Sequence, residues 1–220
     1  MINLYYSNIK DLNLKKGYSK VSNQRKAKIN RLKFEKDKKL SCGVELLLIK
    51  SLKDIGIEDP IFKLDKNNKP YISNYPNIYF NLSHSENMIA CGISDSQIGV
   101  DIEYNDPNID LNLAKHYFFN KEYNSIINSK NPTDEFFKYW VLKESYMKYT
   151  GLGFKLALNS FEIDIDNNPN QIILKKENKP LNLEFNLFNI EDNTYKLAIC
   201  SKDNVKKAVK VNIEELIGIS

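Results

Sequence analysis

Cysteine, histidine and arginine are scarce in this chain of 220 residues: three, two and two. Cys42, Cys91 and Cys200 lie far apart, and none forms a C-x-x-C pair. An odd, scattered set argues against a disulfide framework and against a cysteine-built zinc site, so the three read as structural thiols. His84 and His116 are too few for a zinc centre built mainly on imidazole. Long apolar runs are also missing. The longest stretch of large aliphatics is Leu46 to Ile49, whereas a membrane span needs about 20 apolar residues. Met1 to Lys10 has no basic start, no apolar core and no small-residue cleavage site. The expectation is a cytoplasmic protein with no membrane segment.

Apolar residues, in contrast, make up 42% of the chain and charged ones 27%, enough for a sizeable core in one domain or two small lobes. The net charge of +4 hides an uneven distribution. Residues 15 to 39 hold eleven Lys or Arg against only Glu35 and Asp37, so the remainder is net acidic. Such a stretch suits an anionic partner: nucleic acid, a phosphorylated cofactor or an acidic protein. A solvated helix face in a lysine-rich chain explains it equally well.

Periodicity makes Lys20 to Lys53 mostly helical, with Gly43 as a possible interruption. Asp65 to Pro70 is a turn between two short extended segments, and Ile78 to Leu82 is strand-like. Met88 to Ile93 and Ile98 to Glu103 flank Ser94-Asp-Ser-Gln97, which reads as a hairpin turn. The polar segment Asn105 to Asn112 looks like a linker, which divides the chain into lobes 1–104 and 105–220. Helices follow at 111–129 and 133–149, then strands at 161–165, 171–175, 181–188 and 195–200. No regular βαβ rhythm appears, so the class is α+β. A faint repeat links Asn68-Lys-Pro70, Phe80-Asn-Leu82 and Ala90-Cys91 with Asn178-Lys-Pro180, Phe185-Asn-Leu187 and Ala198-Ile-Cys200. It marks either two related lobes or coincidence in a chain rich in Asn and Lys.

Chemistry concentrates in a few places. In Ile98-Gly-Val-Asp-Ile-Glu103, strand alternation puts Asp101 and Glu103 on one face, about 6.6 Å apart along the strand. Two carboxylates that close need a cation between them, and Mg2+ suits an oxygen donor set. A solvated polar strand face is the alternative. On the helix from Thr133, Glu144 falls amid Phe136, Phe137, Trp140, Val141 and Met147, while Lys138, Lys143 and Ser145 fall outside that face. Glu144 is therefore either paired with Lys148 at i,i+4 or the third acid of a site with Asp101 and Glu103. Phe80-Asn-Leu-Ser-His-Ser85 ends a strand with donors suited to phosphate oxygens, though a lone His is often structural. Asp164, Asp166 and Asn168 mimic an EF-hand start, but Pro169 and Lys175 stand where Gly and Glu are required, so that segment is a turn.

Taken in order, five segments resemble the phosphopantetheinyl transferase superfamily, in its larger two-lobed Sfp-type branch. They are Asn68-Lys-Pro70, Phe80 to Ser85, Ile98 to Glu103, Phe118-Phe-Asn-Lys-Glu122 and Trp140-Val-Leu-Lys-Glu-Ser145 with Lys148. The resemblance runs from about Asn68 to Phe161 and more faintly across the whole chain. It implies two pseudo-symmetric lobes, each a small, mostly antiparallel sheet packed with helices, with the active site at their interface. It also implies transfer of 4′-phosphopantetheine from coenzyme A to a serine of an apo acyl or peptidyl carrier protein. Asp101, Glu103 and Glu144 would hold Mg2+. Lys148 and His84, with Ser83 and Lys69 nearby, would contact coenzyme A phosphates, and Glu122 would take the serine proton directly or through water. The basic N-terminal helix would reach the 3′-phosphate, where Lys39 stands in place of the family's Arg and cannot make its planar fork.

The physics of the reaction agrees. Attack at phosphorus builds charge on oxygen, which a metal and cations stabilise, and the serine needs a base within reach. The expected partners are coenzyme A and a carrier of fatty-acid, polyketide or nonribosomal peptide synthesis, with no nucleic acid, no membrane and a monomeric enzyme. Two other readings compete. A nucleic-acid module would use residues 15–39 but lacks an aromatic–basic pattern or recognition helix. A Mg2+-dependent phosphohydrolase would use the same carboxylates and turn over without a carrier.

Overall fold

A computed structural model describes residues 2–67, 69–165, 172–176, 179–205 and 207–218. In chain order the elements are β1 (Ile2–Asn8), α1 (Leu14–Lys20), α2 (Asn23–Arg31), α3 (Glu35–Lys53), β2 (Phe62–Leu64), β3 (Pro70–Ile72), β4 (Tyr79–Ser85) and β5 (Met88–Ser94). Then come β6 (Gly99–Tyr104), α4 (Asn112–Tyr117), α5 (Asn120–Ile127), α6 (Pro132–Thr150), β7 (Glu162–Ile165), β8 (Ile172–Lys176), β9 (Lys179–Pro180), β10 (Glu184–Ile190), β11 (Tyr195–Ser201), β12 (Ala208–Lys210) and α7 (Ile213–Ile217). The chain divides into unit 1, Met1–Asp95 with Val205–Ser220, and unit 2, Ser96–Asn204. The expected junction at 104/105 falls inside unit 2, where β6 ends.

Unit 1 is a four-stranded sheet in the order β12-β1-β5-β4, with β12 parallel to β1 and the other pairs antiparallel. β5 reads Met-Ile-Ala-Cys-Gly-Ile-Ser and is buried at every position, as a central strand demands. α3 packs on this sheet through Leu40, Val44, Leu47 and Leu48, which join Tyr5, Ile89, Cys91 and Ile93 in one core. α2 starts where Ser22 accepts a hydrogen bond from the Arg25 N–H at 3.1 Å. The turn Asp65 to Pro70 closes the β2–β3 hairpin as expected, although Asn68 itself lies outside the described residues.

Unit 2 is a three-stranded antiparallel sheet in the order β10-β11-β6, with α6 lying on it. Phe136, Phe137, Val141 and Met147 of α6 share a core with Ala198 and Cys200 of β11. Pro132 opens α6 behind an Asn131 cap, and Gly151 closes it at φ 70°, the left-handed geometry that glycine adopts at little cost. A second small sheet, β7-β8-β9, completes the unit.

The α+β class and the small antiparallel sheets match the expectation, but four local readings differ. Ser94 to Gln97 is not a hairpin turn: β5 pairs with β1 and β4, whereas β6 pairs with β11. The long basic helix is broken at Leu32 to Phe34 into α2 and α3. Gly43 does not interrupt α3; a Cβ there would stand 2.9 Å from Ile9 Cγ2, so it lets the helix approach the end of β1 closely. Asn105 to Asn112 lies within unit 2 rather than between lobes. The proposed turn at Asp166 to Pro169 and the repeat residue Asn178 lie outside the described residues.

Candidate active site

β6 carries the first two acids. In its register with β11, Asp101 faces Ala198 and Glu103 faces Lys196, and cross-strand partners share a face of the sheet. Ala198 belongs to the core under α6, so both carboxylates lie on the side that the helix covers. α6 approaches very closely at Gly99. A Cβ there would stand 2.0 Å from the Ser145 carbonyl oxygen and 2.2 Å from the Tyr149 nitrogen, which only glycine permits. The Gln97 side chain adds a hydrogen bond to the Tyr149 carbonyl.

This approach brings Glu144 to Asp101. Burial, and then the negative charge of Asp101, hold the Glu144 carboxyl above its usual range, while Lys148 draws it partly back. Glu144 Oε1 is buried and accepts no hydrogen bond, and a buried polar atom in that state calls for an explanation. Lys148 Nζ lies 2.7 Å from Asp101 Oδ1, so this lysine serves the strand's acid. Asp101, Glu144 and Lys148 thus share one neighbourhood within unit 2, with Glu103 two residues along the same strand face.

Glu122, the expected base, lies in the interior of unit 2. It is 1% exposed, accepts hydrogen bonds from the Phe119 N–H at 2.9 Å and the Ile163 N–H at 2.7 Å, and pairs with Lys143 at 2.9 Å. Lys143 is itself fully buried, donates to the Leu158 and Phe161 carbonyls and sits 4.4 Å from the Phe161 ring centroid. Burial pushes Glu122 up and Lys143 down, each opposed by the partner's charge. The pair fastens α5, α6 and the start of β7 together, and Glu122 has no exposed oxygen to offer a substrate hydroxyl. Lys143 and Ser145 were expected outside the apolar face of α6; both are buried because the sheet packs on one side of this helix and α5 with β7 on the other.

Unit 1 holds the remaining candidates. Ser83 and His84 are consecutive on β4 and therefore point to opposite faces: Ser83 is buried, His84 exposed. His84 shares its face with Phe80 and Leu82, which line a cavity of about 800 Å3. Arg25 and Lys28 of α2, Leu48 of α3, and Phe62, Lys63 and Pro70 of the β2–β3 hairpin complete much of its wall. Lys69 precedes Pro70 and is half-buried, and burial lowers its pKa against the pull of Asp65. Lys39 does not line this cavity; its Nζ donates to the Lys10 carbonyl at 3.1 Å and pairs with Glu35 at 3.7 Å. The cations that line the cavity are Arg25 and Lys28, one helical turn apart on α2 within the basic stretch, and Lys63 from the β2–β3 hairpin.

The model of the 4′-phosphopantetheinyl transferase superfamily matches residues 97–200. A 4′-phosphopantetheinyl transferase of Bacillus subtilis is 33% identical over 82% of this chain and 82% of its own length. The chain belongs to this superfamily. The 4′-phosphopantetheinyl transferase gsp of Aneurinibacillus migulanus is 35% identical over 73% of this chain and 68% of its own. For the 4′-phosphopantetheinyl transferase Sfp of Bacillus subtilis (strain 168), the values are 31%, 71% and 70%. The protein is thus a phosphopantetheinyl transferase of Sfp type, an enzyme that moves 4′-phosphopantetheine from coenzyme A to a carrier-protein serine.

The donor chemistry of this transferase suits a hard cation: carboxylates from two elements, one with a buried oxygen that no donor reaches. As they stand, no three acidic, His or Cys side chains among the described residues are drawn into metal-ligand geometry. Lys148 supplies the positive charge beside Asp101.

Proposed function

We propose that Asp101, Glu103 and Glu144 of this transferase hold Mg2+ against the diphosphate of coenzyme A. The observation that carries the reading is Glu144 Oε1, a buried carboxylate oxygen beside Asp101 with no hydrogen-bond donor. When bound, the ion would neutralise charge on the diphosphate as its bond to the adenosine 3′,5′-bisphosphate leaving group breaks. Lys148, partly exposed and 2.7 Å from Asp101 Oδ1, offers its ammonium to a phosphate oxygen. The family resemblance also assigns His84, Lys69 and Ser83 to coenzyme A phosphates, with His84 and Ser83 on opposite faces of β4.

The cavity of unit 1 has the chemistry to take a nucleotide. Phe62, Pro70 and Phe80 provide apolar surface for a base, and Arg25, Lys28 and Lys63 provide charge for phosphate. The carrier serine attacks phosphorus, and its proton passes to water rather than to Glu122, whose oxygens are already engaged. The enzyme acts as a monomer in the cytoplasm. A single chain supplies Asp101, Glu144 and Lys148, and Cys42, Cys91 and Cys200 are all unpaired thiols. Among the described residues, no helix is long and apolar enough to cross a membrane.

The test is labelling of a panel of apo carrier proteins with fluorescent coenzyme A, with Mg2+ and with chelator. Asp101→Ala and Glu144→Ala should each lower transfer at least about 100-fold, the scale seen when charge stabilisation at a transition state is lost. Labelling that survives chelation or either substitution overturns the metal reading.

A further inference from the structure

Lys196 takes part in no step described so far, yet it lies second in β11, a strand buried at all seven positions. Its side chain is 1% exposed. An ammonium there must be fully engaged, and it is. Nζ lies 2.5 Å from Asp134 Oδ1, 2.7 Å from Asn189 Oδ1 and 2.6 Å from Asn193 Oδ1. Asp134 Oδ1 also accepts from Asn193 Nδ2 at 2.9 Å and from Asn105 Nδ2 at 3.3 Å. Asn105 further donates its Nδ2 to the Asn193 carbonyl at 2.8 Å and its backbone N–H to the Thr194 carbonyl at 2.9 Å.

Three pieces of chain meet in this network: the residue that follows β6, the first turn of α6, and the turn between β10 and β11. The turn is bent unusually to reach it. Glu191, Asp192 and Asn193 all take positive φ, at 49°, 52° and 67°, a conformation uncommon outside glycine.

The far end of the same helix is fixed to the same strand where the Gly99 backbone meets Ser145 and Tyr149. From Gly99 to Asn105 is about 20 Å at the rise of a strand. From Ser145 back to Asp134 is about 17 Å at the rise of a helix. The spans agree, so α6 runs antiparallel along β6 and is pinned at both ends. Asp101, Glu103 and Glu144 lie between the pins.

We infer that the Lys196–Asp134 clamp is a positioning device that sets how α6 lies along β6, and so whether Glu144 meets Asp101 and Glu103. A slip of one residue moves a helix by about 1.5 Å and turns it by about 100°, which carries Glu144 off the strand face. Lys196 and Asp134 touch no substrate; they act through the placement of the three acids. This inference rests on the metal reading above.

Mn2+ binding to the full chain without coenzyme A, followed by electron paramagnetic resonance beside thermal unfolding, separates the two claims. Wild type should bind one Mn2+. Lys196→Met and Asp134→Asn, still folded at the assay temperature, should each weaken Mn2+ binding by about 10-fold or more, as substitutions behind metal ligands do. The Mg2+ concentration for half-maximal transfer should rise in parallel, with the rate at saturating Mg2+ changing far less. A lower unfolding midpoint with unchanged Mn2+ affinity overturns the inference and leaves the metal reading standing. No Mn2+ bound by wild type overturns both. Should Lys196→Met fail to fold, Asp134→Asn, which removes the ion pair from the helix side, decides by the same measurement, and unchanged Mn2+ affinity in that folded variant likewise overturns the inference.

Discussion

Units 1 and 2 repeat one order of elements: a strand, three helices, short strands, then a hairpin whose second strand is buried throughout. The third helix is 19 residues long in each. Pairing makes the equivalences explicit. Phe80 and Leu82 of β4 match Phe185 and Leu187 of β10, and across the sheet Asn3, Tyr5 and Ser7 of β1 stand where Gly99, Asp101 and Glu103 stand in β6. In unit 1 the middle position is filled by a buried tyrosine ring. The acid on its long helix, Glu45, is engaged by the Ser22 N–H at 2.6 Å and by Arg25 at 2.7 Å. In unit 2 the middle position is Asp101, and the helix acid Glu144 keeps an oxygen without a donor. One framework thus holds its helix acid with internal donors in one copy and leaves an oxygen of that acid without a donor in the other. The difference lies in whether its buried acids are satisfied from within.

The comparison breaks most visibly at the buried ion pairs. Lys143→Met strands Glu122 in the interior and should cost about 3–5 kcal/mol, whereas Arg25→Met, beside a pair that water partly reaches, should cost about 1–2 kcal/mol. Equal losses in urea unfolding would show that the two pairs are not differently desolvated. Glycines give the next contrast. Gly99→Ala meets backbone and should cost about 3 kcal/mol and most of the transfer activity, while Gly43→Ala meets the movable Ile9 side chain and should cost about 1 kcal/mol.

The two helix acids sharpen the point further. Glu45→Gln should lose about 1 kcal/mol. Glu144→Gln should be neutral or stabilising by up to about 1 kcal/mol in metal-free enzyme while transfer collapses, because it removes a buried charge one of whose oxygens has no donor and which Asp101 repels. A Glu144→Gln variant that unfolds more readily than wild type would contradict that view.

The smallest effect is one of pH. Burial opposes ionisation of Asp134, but hydrogen bonds from Lys196 and Asn193 outweigh it and hold its pKa below the usual value. A depressed carboxyl stabilises the fold fully above the ordinary Asp pKa of about 3.9, and the contribution is lost as pH falls through the lowered value. Asp134→Asn should therefore flatten the acid limb of the stability curve by under about 1 kcal/mol and leave the limb above pH 5 parallel to wild type.

Much of this arrangement could be read from residues alone. Strand alternation placed Asp101 and Glu103 together, and helical period placed Glu144 against an apolar face, because both depend only on local geometry. Errors arose where long-range packing decides. Ser94 to Gln97 has hairpin composition, yet β5 and β6 find partners elsewhere, and no short-range pattern encodes that choice. Lys143 looked solvent-facing because a single helix period cannot reveal that α6 is covered on both sides. The partners of Glu122 were equally hidden, because a carboxylate in sequence does not disclose two backbone donors and a buried lysine. The Phe80/Phe185 repeat is real in register, but its cysteines are not equivalent: Leu82 faces Cys91, whereas Leu187 faces Ala198. Two extra residues in the β10–β11 turn account for the slip.

β12 and α7 return to unit 1 after all of unit 2 has been threaded through, with Leu216 and Val211 in the core around α3. During synthesis, the outer edge of β1 waits uncovered while more than a hundred further residues leave the ribosome. Unit 2 is contiguous and can settle first, whereas the sheet of β1 closes only when β12 arrives. A change in β12 or α7 therefore acts on β1.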